Sequence, residues 1–267
     1  MSRHELTDQQ WAVIEKLIPK RKAGRGRPQA DPRNTLNGIL HVLKTGCPWA
    51  DMPRKYGSYT TCWRRLKEWQ RTGIWERIWR KLLQLLDEHG VLDWSIGFLD
   101  GSFVSAKRGG DGVGITKIGK GSKVMTIADG NGLPIGIYVT SANHHEIKLV
   151  QPILKSVRVP RKRGRPRSRL KELVADRAYH SQDFRRFLRK RGIKPTIPLK
   201  KNSKKRKGRP VAVGDGYKQR WKIERCFAWM DNYRRLVVRY ERYIQHYKAF
   251  CMIALILLCV NRIVALF

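Results

Sequence analysis

Three acidic side chains in this chain have the type and setting for phosphoryl-transfer chemistry. Asp100 follows an apolar stretch in SIGFLDGSFVSA, Asp176 closes the apolar part of KELVADRAYH, and Glu224 lies in YKQRWKIERCFAWMDNYRR, residues Tyr217 to Arg235. Three carboxylates drawn together suit two hard divalent cations about 4 Å apart, which activate a water or hydroxyl and stabilise the oxygens of an in-line displacement at phosphorus. Each acid also has a plainer reading. Asp100 before Gly101 is a turn pattern, Asp176 before Arg177 a surface ion pair, and Glu224 the partner of Arg220 one helical turn earlier.

Convergence depends on the elements that carry these residues. On a 3.6-residue period Tyr217, Arg220, Glu224, Phe227 or Ala228, and Asp231 share one stripe, while Ile223, Phe227 and Met230 form an apolar stripe that docks the helix on a core. From Trp94 onward the chain reads as strands. Asp100 is expected to end the apolar part of the first, and KVMTIADGNGLPIGIYVTSA gives two more around the turn Asp129-Gly130-Asn131-Gly132. A helix over 146–157, a strand ending at Asp176, a helix capped by Ser181 and stopped by Gly192, and a strand in IKPTIPL follow. Strands that then alternate with helices imply a mixed sheet flanked by helices, in which neighbouring strands bring Asp100 and Asp176 together.

The first 90 residues read as all-helical. Thr7 to Gln10 has capping-box spacing ahead of Trp11, Ile14, Leu17 and Ile18, and Pro19 ends that helix. Asp31 and Pro32 open a second helix that Gly46 stops. A third, about Ser58 to Arg71, mixes Arg64, Arg65, Lys67 and Arg71 with Trp63, Leu66 and Trp69, and a fourth covers Ile74 to His89. This is the outline of a helix-turn-helix-like module whose third helix either enters a major groove or presents a solvated basic face. The expected division is a helical domain at 1-90 and a catalytic α/β domain at 91-267, with basic loops at 158-169 and 200-216.

Charge narrows the partners. The 267 residues hold 57 Lys+Arg against 21 Asp+Glu, a formal charge of +36 that would self-repel without a polyanion, and 41% apolar content supplies a sizeable core. Nucleic acid is the economical partner. The apolar run from Ala249 to Val260 is short for a bilayer and closes on Asn261 and Arg262, so it reads as a buried helix and no membrane partner is expected. Five cysteines, Cys47, Cys62, Cys226, Cys251 and Cys259, form no CxxC pair, which points to reduced thiols and a cytoplasmic setting rather than a disulfide framework or a zinc site.

The residues also resemble a known family. LTDQQWAVIEKLIP, LNGILHVLKTGCPWADMPRKYG and WRRLKEW look like the N-terminal region, and FLDGS, VADRAYHS and RWKIERCFAW like the three acidic motifs, of bacterial insertion-sequence DDE transposases, specifically insertion sequence family 5 within the family 4 and 5 group. The resemblance covers nearly the whole chain and implies a ribonuclease-H-like catalytic fold in which Asp100, Asp176 and Glu224 bind two Mg²⁺ ions, with Mn²⁺ as a substitute. Tyr217, Arg220 and Glu224 match the family's Y-x2-R-x3-E signature. Where that signature continues with Lys, this chain has Asp231, and Arg234 or Arg235 is the candidate source of the positive charge. His145-Glu146 resembles a His-acid pair of relatives and reads equally as a strand-end turn. The implied activity is recognition of inverted terminal repeats, cleavage at their 3′ ends and joining to target DNA, by at least a homodimer in the synaptic complex, nucleoid-associated when DNA-bound. Its alternatives are a noncatalytic DNA-binding regulator derived from a transposase and a structural nucleic-acid chaperone.

One motif recurs: Arg25-Gly26-Arg27-Pro28, Arg163-Gly164-Arg165-Pro166 and Lys207-Gly208-Arg209-Pro210 each set basic side chains around Gly-Arg-Pro. Such segments resemble an AT-hook core suited to a narrow A·T minor groove, and read equally as solvated phosphate tethers. Of the three, Arg163 and Arg165 beside the Asp176 strand are the candidates for a groove contact.

Overall fold

The computed structural model describes residues 4–19, 29–199 and 214–266. In chain order these form helices α1 (Asp8–Glu15), α2 (Pro32–Thr45), α3 (Tyr59–Arg71) and α4 (Ile74–Glu88), then strands β1 (Ile96–Ala106), β2 (Gly114–Thr116), β3 (Gly119–Asp129) and β4 (Pro134–Ser141). Helix α5 (Glu146–Ser156), β5 (Glu172–Ala175), α6 (Gln182–Lys190) and β6 (Lys194–Thr196) follow, and α7 (Trp221–Asp231), α8 (Arg234–Val237), β7 (Val238–Arg239) and α9 (Ile244–Val264) complete the order. Two compact units result: Met1–Leu85 with Ser105–Asp111 and Met230–Phe267, and Leu86–Val104 with Gly112–Trp229. The expected division at residue 90 is a single cut, whereas the helical unit also takes in these two later segments.

In the helical unit the local signals act as their chemistry dictates. The Thr7 hydroxyl accepts from the Gln10 amide (3.2 Å) while the Gln10 side chain accepts from the Thr7 amide (2.9 Å), closing both ends of the capping box. Asp31 accepts from the Asn34 amide (2.5 Å), Pro32 fills the first turn of α2, and Gly46 stops it at φ 74°, where its amide still bonds the Val42 carbonyl. The core is formed by Ile39, Leu40 and Leu43 of α2, Trp75, Trp79 and Leu82 of α4, and the buried length of α9. Helix α9 corrects one argument from sequence. At 21 residues it is long and apolar enough to span a bilayer, so the short apolar run does not decide the matter; its side chains are mostly buried, and it packs against α1, α3 and α8.

The second unit holds the mixed sheet, in the order β2-β3-β1-β5-β6 with β4 paired to β3. β1 and β5 run parallel, as do β5 and β6, while β3 is antiparallel to both β2 and β4. Helix α5 covers β3 and β4, and α6 packs on β6. The turn joining β3 to β4 is fastened by Asp129, which is fully buried and accepts from the amides of Asp93, Asn131 and Leu133. None of the five cysteines is in a disulfide, and all but the half-exposed Cys47 are buried.

Candidate active site

Strand register places the first two acids side by side. Leu99 pairs with Ala175 at the end of the β1–β5 ladder, so Asp100 and Asp176 are the next residues on neighbouring strands. Asp176 does end its strand, and its carboxylate accepts from the Arg177 amide (2.6 Å) to start a short 3₁₀ turn. Asp100 does not. It lies within β1, past the last residue paired to β5, where its carboxylate accepts from the Gly101 amide (2.9 Å). Gly101 has to be small, since a Cβ there would sit 2.7 Å from the Met125 sulfur and 3.4 Å from the Tyr179 hydroxyl.

The third acid arrives on α7. That helix is shorter than the period of 217–235 predicts: Asp215–Gln219 is a 3₁₀ turn, α7 starts at Trp221, and it ends at Asp231 before the separate α8. Close packing accounts for the turn, because a Cβ on Gly216 would meet Ile96 at 2.6 Å and Glu172 at 2.9 Å. Ile223 and Cys226 bury the inner face of α7 against Phe98, Ala128 and Val174, with Tyr217 and Phe227 packed beside them. Lys222 and Arg225 then tie the helix to the Gly130 carbonyl (2.5 Å) and the Asn131 carbonyl (2.8 Å) of the β3–β4 turn. Glu224 is left on the outer face.

One guanidinium gathers all three acids. Arg220 lies 3.0 Å from Asp100, 3.4 Å from Asp176 and 3.4 Å from Glu224, and the Tyr217 hydroxyl reaches Asp176 at 3.3 Å. The plain helical pair between Arg220 and Glu224 therefore exists, as part of a larger cluster. Burial raises the Asp100 pKa; the Gly101 amide and the Arg220 charge oppose that rise, and the negative charges of Glu146 and Asp176 add to it. Burial alone would lower the Arg220 pKa, yet the charges of Asp100 and Asp176 outweigh it and hold the guanidinium ionised.

Among the described residues no three His, Cys, Asp or Glu side chains stand close enough to share a metal ion, since Arg220 is the cation at their centre. The donor set itself fits a hard divalent cation: three carboxylates with graded exposure, facing a point whose field already favours positive charge. A fourth acid belongs to this neighbourhood. Glu146, in the first turn of α5, pairs with Lys123 (3.3 Å), and its charge, with that of Asp100, adds to the burial that pushes the Tyr179 phenol far above its usual range. The His145-Glu146 pair noted in the sequence thus opens α5, with His145 at the N-cap, and Glu146 approaches Asp100 through space from this separate element.

The remaining candidate residues fall elsewhere. Arg64 is exposed on α3, Arg65 pairs with Glu68 (3.0 Å), and Lys67 lies over the Trp63 ring (4.1 Å), all in the helical unit. Arg234 is exposed. Arg235 differs from expectation as a DNA ligand: it is buried, paired with Glu241 at 2.7 Å, and donates to the Gly46 and Cys47 carbonyls. Arg163 and Arg165 project from an exposed loop whose base is closed by the Val159–Arg167 bridge, with Arg167 pinned to Asp87 (3.1 Å) and over the Trp94 ring (4.6 Å). The Gly-Arg-Pro segments at 25–28 and 207–210, and nearly all of the 200-216 loop, lie outside the described residues.

Comparison with known proteins agrees with this geometry. Residues 93–259 match the family described as "Transposase DDE domain", and residues 6–79 match "Putative transposase of IS4/5 family". The chain is 38% identical over 122 residues to "Insertion element IS402 uncharacterized 16.2 kDa protein" of Burkholderia cepacia, covering 43% of this chain and 83% of that protein. It is 36% identical over 142 residues to "Putative transposase for insertion sequence element IS402" of the same organism, covering 53% of this chain and 64% of that protein. In fold it is similar to a cryo-EM structure of the piggyBac transposase synaptic complex with hairpin DNA, with a TM-score of 0.52 at 11% identity over 96% of this chain and 70% of that one. The catalytic region thus has the ribonuclease-H-like fold expected from its sequence.

Proposed function

The chain belongs to the DDE transposases, and from that premise we propose that it binds the inverted terminal repeats of an insertion sequence, cleaves their 3′ ends and joins the freed hydroxyls to target DNA. The observation that carries this reading is the gathering of Asp100, Asp176 and Glu224 around one guanidinium, at 3.0 to 3.4 Å. Two divalent cations, Mg²⁺ in this reading, would be held by these carboxylates and would supply activation of the attacking oxygen and charge neutralisation at phosphorus.

The chain's own groups do the remaining work. Arg220 balances the acids until DNA arrives, then turns its planar fork to the phosphodiester, an anion it fits in two-point geometry. The Tyr217 hydroxyl holds Asp176 in orientation. The basic excess of the chain binds the backbone of the ends, and pairing two ends calls for at least a homodimer. Asp100→Asn is the direct test: with Mg²⁺ and cognate ends it should bind as wild type does and cut none, because the change removes one charge at nearly constant shape. Cutting at the wild-type rate would remove Asp100 from the active site. Cutting by neither protein, with tight end binding by both, would favour a noncatalytic DNA-binding regulator.

A further inference from the structure

A second site is built entirely within the helical unit. A concavity of about 670 Å³ opens between α3, the segment after β1, and the turn leading into α9. Its aromatic wall is Trp49 stacked on Phe250 (6.0 Å, 22° between planes), with Trp63 and Tyr243 each edge-on to His246 (6.3 and 5.3 Å). Tyr243 is 54% exposed and Tyr240 40%, a large aromatic area facing solvent in so basic a chain. The lining contains one acid, Glu241, and Arg235 already neutralises it at 2.7 Å. Arg108 and Arg242, both exposed at the rim, enter no ion pair among the described residues, so the charge left over is positive.

The rim is rigid. Arg239 is 1% exposed and donates to the carbonyls of Glu241 (2.9 Å), Asp111 (2.5 Å) and Arg242 (3.1 Å), fixing both backbone edges of the opening. Gly110, at φ 150°, lets those edges close, since a Cβ there would run into the Arg242 carbonyl. A second concavity of about 690 Å³ shares His246 and continues along α3 past Arg64, Lys67 and Arg71. The α3 cations and the aromatic wall form one track, in which Lys67 already lies over the Trp63 ring and Arg235 over Tyr240, leaving Tyr243 as the most exposed ring.

We infer that this track binds a single-stranded DNA segment, with the α3 cations on its phosphates and an unstacked base against Tyr243. Bases inside a duplex stack on one another and have no free face, so an aromatic box rewards a base only once it is outside the helix. Burial and the Lys67 charge lower the His246 pKa, so its ring enters as a neutral hydrogen-bonding group. Arginine and lysine alone would serve duplex phosphate equally well. The aromatic box makes the difference.

The inference rests on the reading of DNA as the partner and is tested by binding alone. Anisotropy titrations of the full chain would use a single-stranded 12-mer, a blunt duplex, and a duplex with a short single-stranded tail carrying 2-aminopurine. Tyr243→Ala should weaken the single strand and the tailed duplex by about 5-fold or more, the lower end of what losing one base–aromatic stack costs. It should leave the blunt duplex unchanged and abolish the change in 2-aminopurine emission. Tyr243→Phe, which keeps the ring, should behave as wild type. Equal weakening on all three DNAs, or no 2-aminopurine change with the wild-type chain, would overturn the inference while leaving DNA binding intact. Failure to bind any DNA would instead sink the transposase reading beneath it.

Discussion

Replacing Arg220 by Gln should turn a self-neutralised acid cluster into one that needs a divalent cation to be stable. The Asp100–Arg220 pair is 21% and 19% exposed at 3.0 Å. That places it between a surface ion pair, worth roughly 0–1 kcal/mol, and a buried one, whose rupture costs about 3–5 kcal/mol. Asp176 and Glu224 are 39% and 63% exposed at 3.4 Å and add little once solvent screening is counted. The expected loss is about 2 kcal/mol in EDTA, roughly 6 °C in Tm for a unit of this size. Magnesium should restore it, since a cation at 100 times its Kd contributes about 2.7 kcal/mol. In the wild-type chain the same cation must displace Arg220 and should gain less. The assay is calorimetric or circular-dichroism melting across a Mg²⁺ series without DNA. Equal melting of both proteins in EDTA, or equal stabilisation of both by Mg²⁺, would refute the view that these three carboxylates form one cation site.

Two further outcomes follow from other parts of the catalytic unit. Burial pushes the Asp129 carboxyl up to about 6 from its usual 3.8, against the pull of three amide donors. The folded state therefore holds the proton more tightly than the unfolded one, and the stability this gives is complete below about pH 4 and lost as pH rises through 6, an effect of about 3 kcal/mol; urea titrations of wild type against Asp129→Asn should show that slope only in the wild-type chain. Arg163→Lys with Arg165→Lys keeps charge but alters donor geometry, so binding to A·T-rich flanks should fall more than to G·C-rich flanks at matched salt if the loop enters a minor groove. An equal loss on both would leave the loop as a phosphate tether.

What could be read from sequence was local or covalently short. The Thr7–Gln10 box, the Asp31 and Gly46 caps and the Asp129 turn each depend on groups a few residues apart, and all formed as the residue chemistry required. The acids were legible as strand-associated carboxylates, but the place of Asp100 within its strand was not, because β1 continues beyond its ladder with β5. Tyr217 reached its neighbour from a 3₁₀ turn rather than an α-helix, through a contact at Gly216 that periodicity does not encode. Arg235 looked like one more surface cation in a basic run. Its partner Glu241 and the carbonyls of Gly46 and Cys47 could be identified only after the helical unit had closed. Arg220 joins Asp100 across 120 residues, a separation at which residue spacing carries no signal.

The chain order of the helical unit has a consequence for its synthesis. Its first segment ends at Leu85 and its last begins at Met230, with the catalytic unit's sequence emerging between them. A ribosome therefore delivers the apolar faces of α1 and α3 long before α9, the helix that packs against both. Until then the N-terminal helices are an unfinished core in a strongly cationic nascent chain, exposed to aggregation and to polyanions, including the ribosome's own RNA. Non-local closure of this kind is slow, because loop entropy is lost before contacts compensate. A chain stopped after Trp229 would release a fragment without its closing helix, fit for a chaperone or a protease rather than for a smaller DNA-binding protein.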